Sequence, residues 1–458
     1  MSTSRDLLYT IISVWLVICI PLSREWNYFP ERTYDLRPQR DGIDTVSPSK
    51  FRIAMYSHDG YGLGHFRRCL LLAQKTQQHL TDIEILIVTG SSRAFFFNLP
   101  RDTRIVTLDT VTKDLNGKYI PRNPQMSLTE TLARRRQILS RALLDYNPDL
   151  LIVDHVPTGL RGELLPLMAD LKSRGTRLAI GLRDIIDEGP QVRSAWQKDG
   201  CSQVIESLYD HIWVYGNQNL FDLGKLYGLS ASACQRLEYL GYLRRSVRSS
   251  QPPGETQNSI QSSNSDPRLV CVSGGGEDGF PTGYNFLEAL ESHPVNLQGT
   301  LITGPFLSRA HSRELASRFG TNKNLQVLRF TTHLEQYLET ADLIVTMGGY
   351  NAMMEAISSQ KPVIVIPRTF PRQEQWLRAS LFAEKGLVRC LHPDNLTPES
   401  LSAEIKEALA GPPPPSPEEC GLRMDGIGNF LTRIDHLRKE VISMRKAHPN
   451  DKSDLIGA

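Results

Sequence analysis

The stretch ADLIVTMGGYNAMMEAISSQKPVIVIPRTFPRQEQW, residues 341–376, decides the fold of the second half of the chain. A short apolar run, ADLIVT, ends at a glycine pair; a segment with helical spacing and a second apolar run, KPVIVIP, follow. Short apolar runs that alternate with helical segments indicate parallel strands joined by helical crossovers. The stretch therefore predicts a β-α-β unit of an open parallel sheet, followed by a loop and another helix.

The same alternation extends along most of the chain. The other strand candidates are FRIAMYS, IEILIVT, DLLIVDH, RLAIGL, HIWVYG, RLVCVSGGG, LQGTLITG, NLQVLRF and GLVRC. A chain of 458 residues exceeds what one hydrophobic core usually holds. We therefore expect an α/β protein with two Rossmann-like domains that face each other across a cleft, since ligands of open α/β sheets bind at the carboxyl ends of the strands.

Composition places the domain boundaries. Residues 246–267 are almost free of apolar side chains and rich in Ser, Gln, Asn and Pro, which predicts a flexible linker. The α/β domains then occupy residues 51–245 and 268–410. In residues 411–458 a proline run stops the preceding helix, and a closing helix and a frayed tail follow.

The first 50 residues contain an apolar segment, Leu7–Leu22, between Arg5 and Arg24. Its length suits the core of a signal peptide and is slightly short for a bilayer span, and no Ala-x-Ala cleavage site follows it. One interpretation is an uncleaved anchor that holds the protein on the cytoplasmic side of a membrane. The alternative is an extension that contributes nothing to the fold.

Charge and cysteine content exclude several classes of protein. The net charge of +2 with 22% charged residues gives no footprint for nucleic acid. The seven cysteines are scattered and form no Cys-x-x-Cys pair, so neither a disulfide framework nor a zinc site is indicated. No Asp-x-Asp pair ends a strand, which is consistent with the absence of a metal or other cofactor that the family resemblance given below implies.

The loop DGYGLGH, residues 59–65, joins the first strand to a helix. Gly62 and Gly64 let an anion or a sugar approach the amides of the helix start. A dinucleotide is disfavoured, because His65 replaces the third glycine of the fingerprint and the next strand ends without an acidic residue. The helix dipole would keep His65 neutral, as a general base must be, although a capping and packing role is the alternative.

Other polar residues of the first domain are candidates for binding a substrate. Of two adjacent arginines, we expect Arg67 or Arg68 to reach the cleft and the other to lie on a solvated helix face. Two pairs follow strands and so border the crevice: Asp154–His155 and Arg183–Asp184. They could orient a substrate or supply another base, and local capping by either aspartate is the alternative.

The second domain offers two glycine turns. SGGGEDG, residues 273–279, contains Gly274, Gly275 and Gly276 and has the glycine spacing of a nucleotide-binding P-loop, but Phe280 and Pro281 replace its Lys and Ser/Thr. A nucleoside triphosphatase is therefore disfavoured, which leaves a turn that a ligand can approach or a purely structural turn.

The turn in the opening stretch is more informative. Gly348 and Gly349 begin a helix whose free amides suit a diphosphate, with Asn351 in its first turn. Glu355, six residues beyond Gly349, can accept both hydroxyls of a ribose. Glu374 and Gln375 begin the next helix and add groups that bind sugar hydroxyls.

These motifs together resemble the MurG-like, GT-B-type glycosyltransferases over residues 51–410. The resemblance lies in a glycine pair, a Glu six residues later, a Pro seven residues after that, and an acid–Gln pair, here Gly349, Glu355, Pro362 and Glu374–Gln375. It implies a metal-independent hexosyltransferase with a nucleotide-sugar donor, UDP-linked, bound by the second domain. The acceptor, lipid-linked or a glycan, would bind the first.

We therefore expect His65, with Asp154 as the alternative base, to activate an acceptor hydroxyl in a single, inverting displacement. The GLGHFRRC loop also resembles that of nucleotide-sugar hydrolases of the same fold, in which the histidine assists water. A protein that binds a nucleotide sugar without catalysis is the third interpretation.

Overall fold

The structure is a computed structural model and describes residues 50–58, 63–113, 118–244, 266–275, 278–293, 295–331 and 333–447. Leu7–Leu22, most of the predicted linker, Gly62 and Gly276 lie outside these residues, so the predictions made for them stay predictions. The predicted domain boundaries next to the linker are likewise untested.

The first half of the chain forms a parallel sheet of seven strands in the order β3-β2-β1-β6-β7-β8-β9. Its strands are β1 Phe51–Ser57, β2 Ile83–Thr89, β3 Thr103–Thr107, β6 Leu150–Asp154, β7 Arg177–Arg183, β8 His211–Tyr215 and β9 Leu237–Tyr239, and β4 Val111–Lys113 with β5 Tyr119–Pro121 forms a separate antiparallel pair. The helices are α1 Gly64–His79, α2 Leu128–Tyr146, α3 Leu165–Ser173, α4 Gly189–Lys198, α5 Cys201–Ser207, α6 Leu223–Tyr227 and α7 Ala231–Gln235.

The second half forms a parallel sheet of six strands in the order β12-β11-β10-β13-β14-β15. The strands are β10 Arg268–Val272, β11 Gln298–Ile302, β12 Leu325–Leu328, β13 Leu343–Thr346, β14 Val363–Val365 and β15 Arg389–Cys390. The helices are α8 Phe280–Glu291, α9 Arg309–Phe319, α10 Leu334–Thr340, α11 Tyr350–Ser358, α12 Glu374–Glu384, α13 Pro398–Ala410 and α14 Gly426–Ala447. Short 3₁₀ turns cover Ala94–Phe96, Leu160–Gly162 and Pro393–Asn395.

The predicted α/β class with two Rossmann-like parts is confirmed. In each sheet the order reverses beside the first strand, between β1 and β6 and between β10 and β13. Loops that leave neighbouring strands in opposite directions open a crevice at such a switch point, which is where ligands of these sheets bind. The DGYGLGH and Gly348–Gly349 turns both follow strands at these two points.

The final helix returns to the first half. α14 packs on α1 and β1, and the ring of Phe430 lies 5.7 Å from that of Trp213 on β8. Ion pairs join Arg445 to Asp149 and Glu440 to Arg177. One apolar cluster therefore continues through both halves and the helix that connects them.

No helix among the described residues is long and apolar enough to cross a bilayer.

Candidate functional site

A cluster of charged and polar side chains, His65, Arg68 and Asp154, lies at the switch point of the first sheet. Asp154 ends β6, and its Oδ2 lies 2.5 Å from Nδ1 of His65 at the start of α1. One turn along α1, Arg68 donates from Nε to Oδ1 (2.8 Å) and from Nη2 to Oδ2 (2.6 Å) of the same carboxylate. Asp154 and Arg68 are each only 2% exposed, so the group is largely shielded from water.

The electrostatics of this group assign roles to its members. Burial raises the pKa of Asp154, but the Arg68 charge and the hydrogen bond with His65 outweigh it and hold that pKa well below its usual range. Asp154 is therefore a carboxylate at neutral pH, and the His65 nitrogen that faces it, Nδ1, also lies 3.2 Å from Nη2 of Arg68. In the tautomer with a proton on Nδ1, that proton is donated to Asp154 and the lone pair lies on Nε2, the atom that could accept a proton.

One expectation about the two arginines is wrong. Arg68 does not lie on a solvated face, because α1 is enclosed between the first sheet and α11 of the second half. Arg67 is half-buried, with 19% of its side chain exposed, and donates from Nη2 to Oε1 of Glu355 at 2.7 Å. The polar face of α1 is thus a contact between the halves, which the spacing of its own residues could not reveal.

Two further histidines flank His65. Their ring centroids lie 4.6 Å (His58) and 5.4 Å (His155) from that of His65. Burial, followed by the nearby His65, lowers the pKa of His58, and burial, followed by the Arg183 guanidinium, lowers that of His155. Both imidazoles are therefore neutral at pH 7.

The glycine pair of the second half opens onto the cleft. Gly348 has φ of +80°, where glycine is favoured, and Gly349 caps α11 without a side chain over the first amides. Asn351 donates from Nδ2 to the carbonyl of Gly64, 2.9 Å away, and so joins the two glycine turns. Free amides at a helix start suit an anion, as the sequence predicts for this turn.

Glu355 lies deeper than expected. It is 6% exposed and borders a small space between α1 and α11 that is also lined by Arg67, Leu71, Leu243 and Asn351. Its Oε1 accepts from Arg67, so a ribose that uses both carboxylate oxygens must displace that guanidinium. The predicted role of Glu355 thus requires a rearrangement at this contact.

Glu374 and Gln375 begin α12 beside an arginine that the sequence analysis overlooked. Arg368 donates from Nη2 to Oε1 of Glu374 (3.0 Å) and from its backbone amide to Oε1 of Gln375 (3.0 Å). Burial raises the pKa of Glu374, but Arg183, Arg368 and other cations outweigh it, so the pKa falls below its ordinary value. Glu374 is an ionised acceptor in the wall of the cleft.

The SGGG turn is closely packed against the loop that follows β11. A Cβ at Gly304, where φ is +86°, would stand 2.5 Å from the carbonyl oxygen of Gly274, and Phe306 donates its amide to the carbonyl of Gly275 at 3.0 Å. Gly274 itself has open space where a Cβ would be and borders the cleft. Close backbone packing and access to a ligand therefore occur together here.

Asp184 belongs to a buried contact between the halves. Arg378 of α12 donates from Nη2 to its Oδ1 at 2.8 Å, and the same guanidinium reaches the carbonyls of Ile185 (3.1 Å) and Gly348 (3.2 Å). Asp184 also accepts the amide of Ile185, the local bond foreseen as the alternative. Arg378 was missed, although its place one helical turn after Glu374 was a usable signal.

The cleft between the two sheets encloses about 1780 Å³. Ligand pockets for one small molecule are usually roughly 300–1,000 Å³, so two substrates have room. Its walls bring together most of the predicted site residues, namely Gly64, His65, Arg67, His155, Arg183, Gly274, Gly275, Gly349, Asn351, Glu374 and Gln375. Within the described ranges no group of three or more His, Cys, Asp or Glu residues could hold a metal ion.

Comparison with known proteins relates most of the second half to a glycosyltransferase domain. Residues 285–419 match the family model described as the glycosyltransferase family 28 C-terminal domain. A UDP-N-acetylglucosamine–N-acetylmuramyl-(pentapeptide) pyrophosphoryl-undecaprenol N-acetylglucosamine transferase of Shouchella clausii (strain KSM-K16) is 40% identical over 80 residues, 17% of this chain and 23% of that protein. An uncharacterised glycosyltransferase of Methanosarcina mazei is 33% identical over 110 residues, 24% of this chain and 27% of that protein. The chain thus matches about a quarter of the length of these relatives.

Solved structures extend the likeness to both halves. The glycotransferase of kitacinnamycin superposes with a TM-score of 0.53 at 16% identity and covers 87% of this chain and 99% of that one. CalG4, the calicheamicin glycosyltransferase, gives a TM-score of 0.50 at 14% identity, over 88% and 99% of the two chains. At such identities the likeness establishes the fold, which is that of GT-B glycosyltransferases.

Proposed function

We propose that this chain, a MurG-like protein with a family 28 glycosyltransferase C-terminal domain on a GT-B fold, moves a hexosyl or N-acetylhexosaminyl group from a UDP-sugar to an acceptor hydroxyl. One observation carries the proposal. His65, which contacts Asp154 at the end of the first sheet, and Gly349, at the start of α11 beyond the second sheet, line the same cleft. A base and an anion site that face each other suit displacement of a diphosphate.

In this proposal the second half binds the donor. The diphosphate lies at the start of α11, where the backbone donors already point at the developing charge and need not reorganise. The ribose hydroxyls displace Arg67 from the carboxylate of Glu355. Glu374 and Gln375 contact the sugar. No metal is required, since amides and arginines balance the charge of the leaving group.

The first half supplies the base. In the tautomer with its proton on Nδ1, His65 accepts at Nε2 the proton of the acceptor hydroxyl as that oxygen attacks the anomeric carbon and the bond to the diphosphate breaks. Asp154 holds the imidazole through Nδ1 and stabilises the imidazolium that forms. We assign it this role rather than that of an alternative base, because its pKa is low and Arg68 occupies both oxygens. A single displacement inverts the anomeric centre.

The name of the Shouchella clausii relative suggests the kind of acceptor. That protein acts on a pyrophosphoryl-undecaprenol, and by analogy we propose a lipid-linked or glycan acceptor reached from the cytoplasmic side of a membrane. An anchor at Leu7–Leu22 would keep the cleft near such an acceptor, and this part rests on the sequence alone.

The hydrolase remains the second candidate, because a histidine oriented by a buried carboxylate activates water as readily as an alcohol. A thermal-shift screen against UDP, UDP-glucose, UDP-galactose and UDP-N-acetylglucosamine tests the donor, since binding to the folded state raises the midpoint. UDP release is then followed with and without lipid and glycan acceptors. Full release without acceptor indicates the hydrolase, binding without release indicates a sensor, and no binding refutes the proposal.

A further inference from the structure

His155 directly follows β6, next to the proposed base, and its ring has a defined hydrogen-bonding state. Nη2 of Arg183 lies 3.1 Å from Nε2 of His155. A guanidinium only donates, so Nε2 must carry a lone pair that accepts this bond. His155 is 6% exposed and neutral, and the proton of its ring must therefore be on Nδ1. Arg183 thus selects the tautomer.

The Nδ1–H group has no partner within the part of the chain that the structure describes. The nitrogen is buried from solvent and makes no hydrogen bond there. Buried donors are nearly always satisfied, because an unpaired one loses its bond to water without replacement. The ring borders the cleft, 5.4 Å from that of His65, so a bound substrate can provide the acceptor.

The backbone at this position supports the same conclusion. His155 has φ of +74°, in the left-handed region that residues other than glycine adopt infrequently, although Asn, Asp and His do so more often than the rest. Its amide bonds to the carbonyl of Gly181, and that of Val156 to the carbonyl of Asp154, so the conformation is held from both sides. Unfavourable backbone geometry that is maintained by its surroundings is frequent where side chains contact substrates.

We propose that Nδ1–H of His155 donates to a hydroxyl oxygen of the substrate beside the reaction centre. This rests on the proposed function and adds a binding residue to it. The diphosphate is assigned to the amides of the second half, whereas His155 lies in the first half beside His65. Its partner is therefore a neutral oxygen, a hydroxyl either of the transferred sugar or of the group that attacks it.

Two substitutions at His155 separate the effect of the Nδ1–H donor from that of the hydrogen bond that Nε2 accepts from Arg183. His155→Asn places an amide NH₂ near the position of Nδ1 and tolerates a positive φ. His155→Gln can still accept from Arg183 through its longer amide but has no donor near Nδ1. We expect His155→Gln to weaken UDP-sugar binding, or to slow UDP release, by about tenfold, which is equivalent to the loss of one buried hydrogen bond. In His155→Asn both quantities should stay within about threefold of those of the native protein.

The measurements locate the partner oxygen. Dissociation constants for UDP should match in the native protein and both variants. If the hydroxyl belongs to the sugar, His155→Gln weakens binding of the UDP-sugar found by the thermal screen but not of UDP. If it belongs to the attacking group, UDP-sugar binding is unchanged and the rate of UDP release falls. Equal behaviour of the two variants, or an unaffected His155→Gln, overturns the proposal.

Nitrogen-15 NMR of the histidine rings provides a test that does not need a substrate. The protonated and unprotonated ring nitrogens of a neutral histidine have well-separated shifts, and we expect the His155 signal, assigned by its loss in His155→Asn, to show a proton on Nδ1. A proton on Nε2 refutes the inference. If the proton is on Nδ1 but no UDP-sugar binds, the proposed function is refuted, whereas the tautomer inferred for His155 is confirmed.

Discussion

Nη2 of Arg67 donates to Oε1 of Glu355 at 2.7 Å, so an arginine from the first half neutralises the carboxylate expected to bind a ribose in the second. The two residues are 288 positions apart in the chain. Any ligand that uses Glu355 must therefore change a contact between the halves, which couples nucleotide binding to α1 and to His65 on the same helix.

The first prediction concerns this competition. Arg67→Met removes the competing guanidinium, and we expect uridine, which has the ribose hydroxyls but no phosphate, to bind about tenfold more tightly, a gain of about 1.4 kcal/mol. Titration calorimetry with uridine measures it. Arg67→Lys, which keeps the charge, is the control, and weaker uridine binding to Arg67→Met would contradict the exchange.

His65 should affect turnover more than binding. In His65→Gln we expect UDP release to slow by about 10²–10⁴-fold, the range for loss of a general base, with the UDP dissociation constant within about threefold of native. Steady-state rates and calorimetry on the same preparation separate the two effects. An unchanged rate would remove His65 from the role of base.

The buried pair of Asp184 and Arg378 should stabilise the contact between the halves. Arg378→Met leaves a carboxylate that is 1% exposed without its charged partner, and we expect a loss of about 3–5 kcal/mol in the free energy of unfolding. Urea denaturation measures it. The exposed pair Arg141–Asp145 is the matched control, since Arg141→Met should cost less than about 0.5 kcal/mol.

A companion variant makes this test sharper. Arg378→Met combined with Asp184→Leu removes both charges and should recover most of the loss, because the penalty comes from the isolated carboxylate. A double variant as unstable as Arg378→Met would show that packing rather than charge holds this contact.

Stability should decrease as the pH falls below about 6.5. His58 and His155 have folded-state pKa values below that of an unfolded histidine, so the unfolded chain takes up protons first. Each can contribute a slope of up to about 1.4 kcal/mol per pH unit. The pKa of Asp154 is also lowered, but its contribution is constant above about pH 4 and is lost only in stronger acid.

Urea denaturation at pH 7.5 and 5.5 checks this dependence. His155→Asn should reduce the difference between the two pH values, because the substituted side chain does not titrate. An identical difference in the native protein and the variant would mean that His155 is protonated equally in the folded and unfolded states.

The sequence was sufficient for most of the strands because their apolar runs are long and buried. All the strand candidates form strands, whereas the edge strands β3 (TRIVT) and β9 (LEY) and the short pair of β4 and β5 were missed. The glycine turns were also found, since the ends of parallel strands face one crevice. A sequence pattern therefore predicts structure well where the residues that form the element, such as an apolar strand or a glycine turn, are neighbours in the chain.

The arginines show where local pattern fails. Arg67, Arg68 and Arg378 each pair with an acid at least 86 positions away in the chain. On a helix wheel such residues look like solvated charges, because nothing in their own helix indicates which surface will cover them.

The position of α14 has a consequence for the nascent chain. Phe430, Ile434 and Leu437 fill the apolar cluster beside β1 and α1, although they leave the ribosome only after the whole of the second sheet. The first half therefore emerges early but keeps an uncovered apolar surface throughout synthesis of the second, a state that chaperones bind. A chain arrested before residue 426 should remain protease-sensitive until this helix is released.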